Sequence, residues 1–342
     1  MKASYLTKPS TIEIIDQPQP ELNAGELLIE IKHVGLCGSD LHYYRHGRLG
    51  DNVVTEPLIL GHEASGIVAG KAGDVDGFDI GDRVVIEPGL PCFSCSHCRK
   101  GSYNLCNDVA FMSVPGYNGA LREYVNFSSL GVFKLPDGVS LRDAALIEPL
   151  AVGYNAAETA GITAGSSVCI MGAGPIGLTA AEAARIMGAA KIMITDTDDH
   201  RLSIASKHGV DTALNILRDD AEKAAGDLTL GRGFDFVIDA TGVPSAMEGC
   251  ISLAAKNSVI VFVGLGEESM RLSGYRMVKK QLTIKGVNRY ANHFQPVIEL
   301  LAAGRYDLND FISHEYAFED IVDAFNFATS NSENKMKVMI NF

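Results

Sequence analysis

Four closely spaced cysteines could bind one metal ion through their thiolates. They follow the pattern Cys92-x₂-Cys95-x₂-Cys98-x₇-Cys106. Four thiolates complete the tetrahedral coordination of zinc and leave no open position, which is typical of a structural site. An iron–sulfur cluster is the alternative, because C-x₂-C-x₂-C also begins the bacterial ferredoxin run, where the fourth Cys follows after three residues and precedes Pro. Here the gap is seven residues and Asn107 follows, so the spacing favours zinc.

A second group of potential metal ligands is dispersed along the chain. Cys37 lies in GLCGSDLH, His62 and Glu63 lie in LGHEASG, and Glu148 lies in IEPLAVG. Catalytic zinc sites keep three protein ligands and an open fourth position for water or substrate. Taken singly, a Cys is more often a buried apolar residue, and a His or Glu is usually a surface or capping residue. Together these residues are a hypothesis for a catalytic zinc site.

A glycine-rich segment indicates a dinucleotide-binding site. Gly172, Gly174 and Gly177 form G-x-G-x-x-G between a predicted strand, SSVCIMGAG, and a predicted helix, PIGLTAAEAARIMGA. In this context the first Gly permits a tight turn, the second lets the backbone approach a pyrophosphate, and the third allows close packing of helix on strand. The free N–H groups at the helix N-terminus would bind the phosphates.

An acidic residue at the end of the next predicted strand, KIMITD, favours NAD over NADP. Asp196 follows Gly177 by about 20 residues, the place of the acid that binds the adenosine ribose hydroxyls. A carboxylate there would repel a 2′-phosphate. An adenosyl group in a methyltransferase, or a glycine-rich turn followed by an ordinary surface Asp, would give a similar pattern. Later predicted strands end at Asp239 and Gly242 and at residues 264–266. Because ligands bind at the carboxyl ends of parallel strands, these residues are further, weaker candidates for cofactor contact. The predicted cofactor-binding residues are Gly172, Gly174, Pro175, Ile176, Gly177, Asp196, Arg201, Gly264 and Leu265.

Length and composition restrict the class of protein. The chain has 342 residues, which suits two domains, and a formal net charge of -13. So acidic a chain lacks the positive charge needed for general binding to nucleic acid or anionic lipid. The same net charge argues against a zinc ribbon that binds nucleic acid. We expect a cytoplasmic protein, because neither a signal peptide nor a run of 18 apolar residues occurs. An odd count of 7 cysteines argues against a disulfide framework, and Cys169 and Cys250 are expected in the core.

The order of predicted elements indicates two kinds of domain. Residues 1–150 show little helical periodicity and alternate short apolar runs with Gly, Pro and Asp, so they predict a β-rich unit. Beyond Pro149, buried strands alternate with helices, as in the βαβ units of a parallel sheet. The last fifty residues contain two helical patterns and end in a probable strand. The fold class is therefore α/β, with a parallel-sheet domain beside a β-rich one.

These segments resemble the zinc-containing medium-chain alcohol dehydrogenases, and within them the polyol (sorbitol and xylitol) dehydrogenases, over nearly the whole chain. The family's zinc signature, G-H-E-x₂-G-x₅-A-x₂-V, matches residues 61–75. The subgroup rests on four segments, which are residues 42–43, 47–50, 148–150 and 288–290. The resemblance implies a GroES-like catalytic domain, residues 1–150 completed by 290–342, and a Rossmann NAD-binding domain, residues 151–289, with the active-site cleft between them.

The resemblance also implies roles for single residues. Cys37, His62 and Glu63 would hold the catalytic zinc, and Asp40 would support a zinc-ligating His. Glu148 would ligate the metal directly, orient its water, or exchange with Glu63. Ser39 and His42 would pass the hydroxyl proton to solvent. The residues that would contact substrate are Tyr43, Glu148, Arg289 and Tyr290. Packing of the tyrosines in the wall of the site is the alternative to direct hydrogen bonding.

The implied reaction is oxidation of a secondary hydroxyl of a polyol to a ketose. The implied cofactors are NAD and two zinc ions per chain, one catalytic and one structural, and the expected assembly is a homodimer or homotetramer. Some animal sorbitol dehydrogenases lack the full four-cysteine loop, so this chain is expected to be of a microbial type. A threonine 3-dehydrogenase or a simple secondary-alcohol dehydrogenase would carry out the same chemistry on another substrate and is the nearest alternative. A non-catalytic nucleotide-binding protein on the same fold is the alternative from another class.

Overall fold

A computed structural model describes residues 1–266, 269–330 and 334–342 of the chain. It contains two compact units. The first comprises Met1–Glu148, Phe294–Gly304 and Leu308–Phe342, and the second comprises Pro149–His293 and Arg305–Asp307. Among the described residues, no helix has the length and apolar character needed to cross a membrane.

The first part of the chain is mainly β-structure. Its strands are β1 (Lys2–Lys8), β2 (Thr11–Asp16), β3 (Glu26–Gly35), β4 (Arg48–Leu49), β5 (Asn52–Val53), β6 (Glu63–Lys71), β7 (Arg83–Ile86), β8 (Gly89–Leu90), β9 (Ala110–Phe111), β10 (Tyr124–Ser128) and β11 (Val132–Lys134). Its helices are α1 (Gly38–His46), α2 (Ser96–Arg99), α3 (Leu141–Ala144) and the start of α4 (Ile147–Ala160), with two short 3₁₀ helices, Tyr103–Leu105 and Ser129–Gly131.

The remaining elements alternate more regularly. They are β12 (Ser167–Met171), α5 (Pro175–Ile186), β13 (Lys191–Asp196), α6 (Asp199–Lys207), β14 (Thr212–Asn215), α7 (Ala221–Thr229), β15 (Phe234–Asp239), α8 (Pro244–Leu253), β16 (Ala254–Phe262), α9 (Gly274–Lys280) and β17 (Thr283–Gly286). The final segment contains α10 (Phe294–Ala302), β18 (Ile312–Ala317), a 3₁₀ helix (Phe318–Asp320), α11 (Ile321–Thr329) and β19 (Lys337–Asn341).

The sheet of the first unit brings distant segments together. Its order is β11-β7-β6-β3-β19-β18, with β10 also paired to β3, and only β18 and β19 run parallel. Strand β3 pairs antiparallel with both β6 and β19, so that Gly35 lies opposite Glu63 on one side and Met339 on the other. The end of β3, the start of β6 and the last strand of the chain therefore meet at one place.

The sheet of the second unit is parallel throughout, in the order β14-β13-β12-β15-β16-β17. Every residue of β12 is buried, as expected of a central strand covered on both faces. The chain order reverses between β12 and β15, and such a reversal is where nucleotides bind in open α/β sheets. The predictions of a parallel Rossmann sheet and of a β-rich GroES-like unit are both confirmed. Cys169 and Cys250 lie in the core of this unit.

One element within residues 1–150 departs from the expectation of little helix there. Helix α1, GSDLHYYRH, has no strong apolar stripe, so its sequence carries no helical periodicity. The helix forms because the Asp40 carboxylate accepts a hydrogen bond from the N–H of Cys37 at the helix start (3.0 Å), and because Tyr43 and Tyr44 are buried in the core. Gly47, in a left-handed conformation, ends it.

Candidate metal centres and nucleotide site

Three side chains converge at the meeting point of β3, β6 and β19. The ligand atoms of Cys37, His62 and Glu63 lie within 4.8 Å of one another. Cys37 is the residue before helix α1, and its backbone N–H donates to the Asp40 carboxylate in the first turn of that helix. His62 and Glu63 are buried at the start of β6. The antiparallel pairing of β3 and β6 thus brings together residues that are far apart in the sequence.

A buried aspartate connects the chain segment that carries Cys37 with the segment that carries His62 and Glu63. Asp40 accepts hydrogen bonds from the N–H of Cys37 (3.0 Å), the N–H of Gly61 (3.1 Å) and the hydroxyl of Ser113 (2.6 Å). Its Oδ1 also lies 3.5 Å from Nδ1 of His62. Burial alone would raise the pKa of Asp40, but His62 and these donors lower it overall. Asp40 is therefore a carboxylate that can orient the His62 ring, as metal-ligating histidines require.

The donor set fits a zinc ion. A thiolate, an imidazole and a carboxylate are the ligands of open zinc sites. Among the described residues, the Oε2 atom of Glu63 is buried and accepts no hydrogen bond, and a buried oxygen without a partner is costly unless a ligand supplies one. Gly35 leaves the room for this carboxylate, since a Cβ there would lie 2.2 Å from Oε2.

A lysine that sequence reasoning missed is paired with the cluster. The Nζ of Lys337, at the start of β19, lies 2.6 Å from Oε1 of Glu63, and only 4% of Lys337 is exposed. Burial alone would lower the pKa of this lysine, but the negative charges of Glu63 and Cys37 raise it overall. The signal available in the sequence was a lysine within an otherwise apolar strand, MKVMIN.

Glu148 lies near this cluster but outside the group of converging ligand atoms in the described part of the chain. It is buried, and its charge contributes to raising the pKa of both Lys337 and Glu87. Helix α4 positions it, since Glu148 is in the first turn of that helix. The structure therefore brings Cys37, His62 and Glu63 together and leaves the three alternatives for Glu148 open.

Glu87, a second residue missed by the sequence reading, is an uncommonly placed carboxyl group. It follows β7 and is buried, and its Oε1 accepts a hydrogen bond from the Tyr103 hydroxyl (2.8 Å). Burial raises the pKa of Glu87 to about 7, with a smaller contribution from Glu148. Because Tyr103 lies between Cys98 and Cys106, this bond connects the four-cysteine loop to the sheet of the first unit.

We expect Glu87→Gln to gain stability over the unchanged protein as the pH rises. The folded protein keeps the Glu87 proton up to about pH 7, whereas the unfolded chain releases it near pH 4.5. The glutamate therefore destabilises the fold progressively between these values, by up to about 3 kcal/mol at higher pH. Urea unfolding of both proteins at pH 5 and pH 8 measures this. Glu56→Gln, at an exposed carboxylate, is the control, and an equal difference at both pH values would contradict the prediction.

The predicted proton-transfer residues lie on helix α1. Ser39 and His42 are three positions apart and so share a helix face. Ser39 is partly buried, whereas His42 is exposed and its ring lies 5.6 Å from that of His46. Burial of the ring, with the neighbouring His46 and Arg45, lowers the pKa of His42. A neutral imidazole at the surface can accept a proton from a more deeply placed group such as Ser39.

The predicted substrate residues occupy different environments. Tyr43 is part of the core of the first unit, and Tyr290 is buried. Arg289, partly exposed in the second unit, has a left-handed backbone conformation (φ 55°), and its carbonyl accepts a hydrogen bond from the Asn155 amide (2.7 Å). This burial matches the packing alternative for both tyrosines, and contact with substrate stays a prediction.

The four cysteines form a compact cluster. The Sγ of Cys98 lies 3.4 Å from that of Cys95 and 3.9 Å from that of Cys92. Backbone N–H groups of Cys92, Cys95 and Cys98 donate to Sγ atoms of Cys106, Cys92 and Cys95, respectively. The Ser94 hydroxyl and the N–H groups of Ser94 and Cys95 lower the pKa of Cys92 to about 6. All four ligand atoms lie within 4.8 Å of one another, which suits one tetrahedral zinc.

The glycine-rich turn has the local geometry that a pyrophosphate needs. Gly172 has a left-handed conformation (φ 98°). A Cβ on Gly177 would lie 1.8 Å from the carbonyl oxygen of Gly172, so the helix packs closely on the strand. A Cβ on Gly174 would meet only the Arg201 guanidinium, at 3.8 Å, which leaves open space at the start of α5. Pro175 begins that helix, where its missing N–H costs nothing. Ile176 follows it there.

Asp196 ends β13 beside this turn. Its carboxylate accepts hydrogen bonds from the N–H groups of Ala173 (2.7 Å), Thr197 (2.7 Å) and Asp198 (3.0 Å). Arg201 lies in the first turn of α6, with its Nε 3.8 Å from Oδ2 of Asp198, the residue before that helix. Asp196 thus fixes the glycine-rich turn in addition to any role toward a ribose.

The glycines after β15 and β16 are explained by contact with each other. Cβ atoms on Gly264 and Gly266 would lie 2.1 and 1.6 Å from backbone atoms of Gly242. Asp239 is buried and accepts hydrogen bonds from the Thr241 hydroxyl (2.6 Å) and the Gly242 N–H (3.0 Å). Leu265 is 77% exposed. Close loop packing accounts for these residues, and cofactor contact by Gly264 and Leu265 stays a prediction.

Comparison with known proteins identifies the family. The model of the alcohol dehydrogenase GroES-like domain matches residues 23–137, and that of the zinc-binding dehydrogenase domain matches residues 175–303. The chain is 38% identical to a sorbitol dehydrogenase of Bacillus subtilis, over 99% of this chain and 97% of that protein. It is 36% identical to a probable D-xylulose reductase A of Neosartorya fischeri, over 92% of this chain and 89% of that protein.

A solved structure agrees with these matches. An oxidoreductase of unknown specificity from Escherichia coli superposes with a TM-score of 0.96 at 33% identity, covering 99% of this chain and 98% of that one. Relatives this similar share the fold and the domain order. The chain therefore belongs to the zinc-containing medium-chain alcohol dehydrogenase family and groups with its polyol dehydrogenases.

Proposed function

We propose that this protein oxidises a secondary hydroxyl of a polyol such as sorbitol or xylitol to a ketose, with NAD as hydride acceptor. The convergence of Cys37, His62 and Glu63 carries the proposal, because a non-catalytic relative has no need of an open metal site. The names of the similar proteins support a polyol as substrate. A cytoplasmic homodimer or homotetramer remains our expectation from the sequence.

The residues at the cluster would hold zinc and prepare the alcohol for oxidation. Zinc bound there would act as a Lewis acid toward the substrate oxygen and lower the pKa of the hydroxyl. Asp40, whose Oδ1 lies 3.5 Å from Nδ1 of His62, would orient this ring when His62 binds zinc. Ser39 would accept the proton of the substrate hydroxyl while donating its own, and His42, on the same helix face, would take up that proton and release it to solvent.

The nucleotide site would hold and orient NAD. The N–H groups at the start of α5 bind the pyrophosphate, for which Gly174 leaves open space. Asp196 accepts hydrogen bonds from the adenosine ribose hydroxyls and discriminates against a 2′-phosphate. NAD supplies the hydride chemistry when bound, and the protein positions it.

A substrate screen tests the proposed function. Purified protein is offered sorbitol, xylitol and other polyols, L-threonine, and simple secondary alcohols with NAD, and reduced cofactor is followed by absorbance. We expect the highest kcat/KM with a polyol. A higher kcat/KM with threonine or a simple alcohol would replace the polyol by that substrate. Turnover of none of them by zinc-loaded protein would favour the non-catalytic alternative.

We expect Asp196→Ala to relax the preference for NAD. Removing a charged hydrogen-bonding group that binds NAD and repels NADP should lower the ratio of their kcat/KM values by about 10- to 100-fold. Steady-state kinetics with both cofactors measures this ratio. Asp196→Asn is the matched control, because its amide oxygen can still accept from the N–H of Ala173 while the repelling charge is absent. An unchanged ratio in both variants would remove Asp196 from cofactor selection.

A further inference from the structure

Lys337 contacts both chain segments that carry the proposed catalytic metal ligands. Its Nζ donates to Oε1 of Glu63 (2.6 Å) and to the carbonyl of Leu36 (3.2 Å), the residue before Cys37. Glu63 is 1% exposed and Lys337 is 4% exposed, so water has little access to either charge. The lysine reaches this position because β19, at the end of the chain, pairs with β3.

The carboxylate of Glu63 needs a positive partner in the folded protein. A buried carboxylate without one is strongly destabilising, whereas a paired one is tolerated. Lys337 supplies this charge in the metal-free protein, and a bound zinc ion would supply it as well. The ammonium and the metal therefore draw on the same carboxylate. An ammonium at Oε1 draws the shared negative charge of the carboxylate away from Oε2, so Oε2 is a poorer metal ligand than in a carboxylate without this partner.

We propose that Lys337 is a positioning residue that competes with the catalytic metal for Glu63 and so keeps a coordination position available to substrate. This inference rests on the proposed function, because it takes the cluster of Cys37, His62 and Glu63 as the catalytic site. Removal of the lysine leaves Glu63 to bind the metal alone. The metal is then held more tightly, and the alcohol has a stronger competitor for its position.

Metal affinity of Lys337→Met tests this competition directly. Protein with zinc at the four-cysteine site alone is titrated with Zn²⁺ against a chromophoric chelator. Because partners of metal ligands commonly change affinity by about 10- to 100-fold, we expect binding at the second site to tighten by that factor. The melting temperature before this titration should fall, since Glu63 loses its partner, and zinc should raise it by more than in the unchanged protein.

A purely structural role gives the opposite pattern. If Lys337 only supports the fold, Lys337→Met lowers the melting temperature with and without the second zinc, and metal binding is unchanged or weaker. That outcome overturns the proposal. Lys337→Arg keeps the charge and should restore an affinity within a few-fold of the original. Lys337→Gln serves if the Met variant fails to fold, because its amide can still donate to the Leu36 carbonyl.

A double-mutant cycle separates competition from simple charge repulsion. In a Glu63→Gln background no carboxylate is left to compete for, so we expect Lys337→Met to leave zinc affinity unchanged. If the lysine acted only by repelling the metal ion, the same tightening would persist there, and the proposal would fall. The cobalt-substituted protein gives a second readout, because firmer binding by Glu63 should alter the visible absorption of Co²⁺.

The outcomes also distinguish this inference from the proposed function. If the unchanged protein binds zinc at the four-cysteine site alone and still oxidises alcohols, the proposed catalytic site is wrong. If it binds a second zinc that is required for turnover, but Lys337→Met leaves its affinity and the cobalt spectrum unchanged, the proposed function stands and the role of Lys337 is wrong.

Discussion

Replacing Cys37 by serine should abolish turnover while leaving NAD binding intact. The substitution replaces the sulfur ligand among the three converging side chains by a hydroxyl, so the second zinc should be lost. Lewis-acid polarisation contributes several kcal/mol to the transition state, and each 1.4 kcal/mol is tenfold in rate. We therefore expect kcat/KM with the best polyol to fall by about 1000-fold or more.

Two further measurements show whether the loss is specific. Metal analysis should find zinc falling from two ions per chain to one, because the four-cysteine site is untouched. NADH binding, followed by the fluorescence of the cofactor, should be unchanged, since the glycine-rich turn belongs to the second unit. Cys250→Ala removes a thiol from the core of that unit and should keep both zinc ions. Parallel loss of NADH binding in Cys37→Ser would indicate misfolding, and full activity with one zinc would overturn the catalytic assignment.

The parallel sheet was predictable because its strands carry their own signal. Runs such as SVCIM and FDFVID are buried on both faces, and the helices that cover them follow after short links. Helix α1 could not be found in this way. Its buried residues are Asp40, Tyr43 and Tyr44, so a charged side chain lies where an amphipathic helix would have an apolar one, and no amphipathic periodicity develops.

The candidate metal ligands could be singled out from motifs, but their surroundings could not. Cys37 and the His62-Glu63 pair stand in recognisable local sequences, and the structure brings them together. Lys337 lies 274 positions from Glu63, and no local pattern relates the two. Their contact depends on β3 pairing with β6 on one side and with β19 on the other. Such a pairing follows from the whole sheet and not from any segment of it.

The glycines show the same limit. Gly174 and Gly264 both follow buried strands at the edge where nucleotides bind, so the sequence treats them alike. In the structure, Gly174 borders open space, whereas Gly264 is required by contact with the backbone of Gly242. A glycine that makes room for a ligand and one that makes room for a neighbouring loop have the same sequence signal, and only the packing separates them.

The second large effect is expected at the four-cysteine loop, where Cys98→Ser should unfold the loop and leave zinc bound at the proposed catalytic site. Between residues 92 and 107 only Cys106 is buried, so this segment has no apolar core of its own. In such segments the metal supplies the folding free energy. Zinc content should fall from two ions per chain to one. A loss of even about 3 kcal/mol of local stability raises the opened fraction by more than 100-fold.

Trypsin reports this opening, because Arg99 and Lys100 end the short helix α2 within the loop and are exposed there. Both bonds are held in ordered backbone while the loop is folded, so cleavage at them should accelerate by a similar factor in Cys98→Ser. Ser94→Ala is the matched control. It removes a hydroxyl that donates to Cys92 but keeps all four thiolates, so it should retain two zinc ions and its resistance to cleavage. Unchanged zinc content and cleavage rate in Cys98→Ser would mean that hydrogen bonds and packing hold the loop, not a metal.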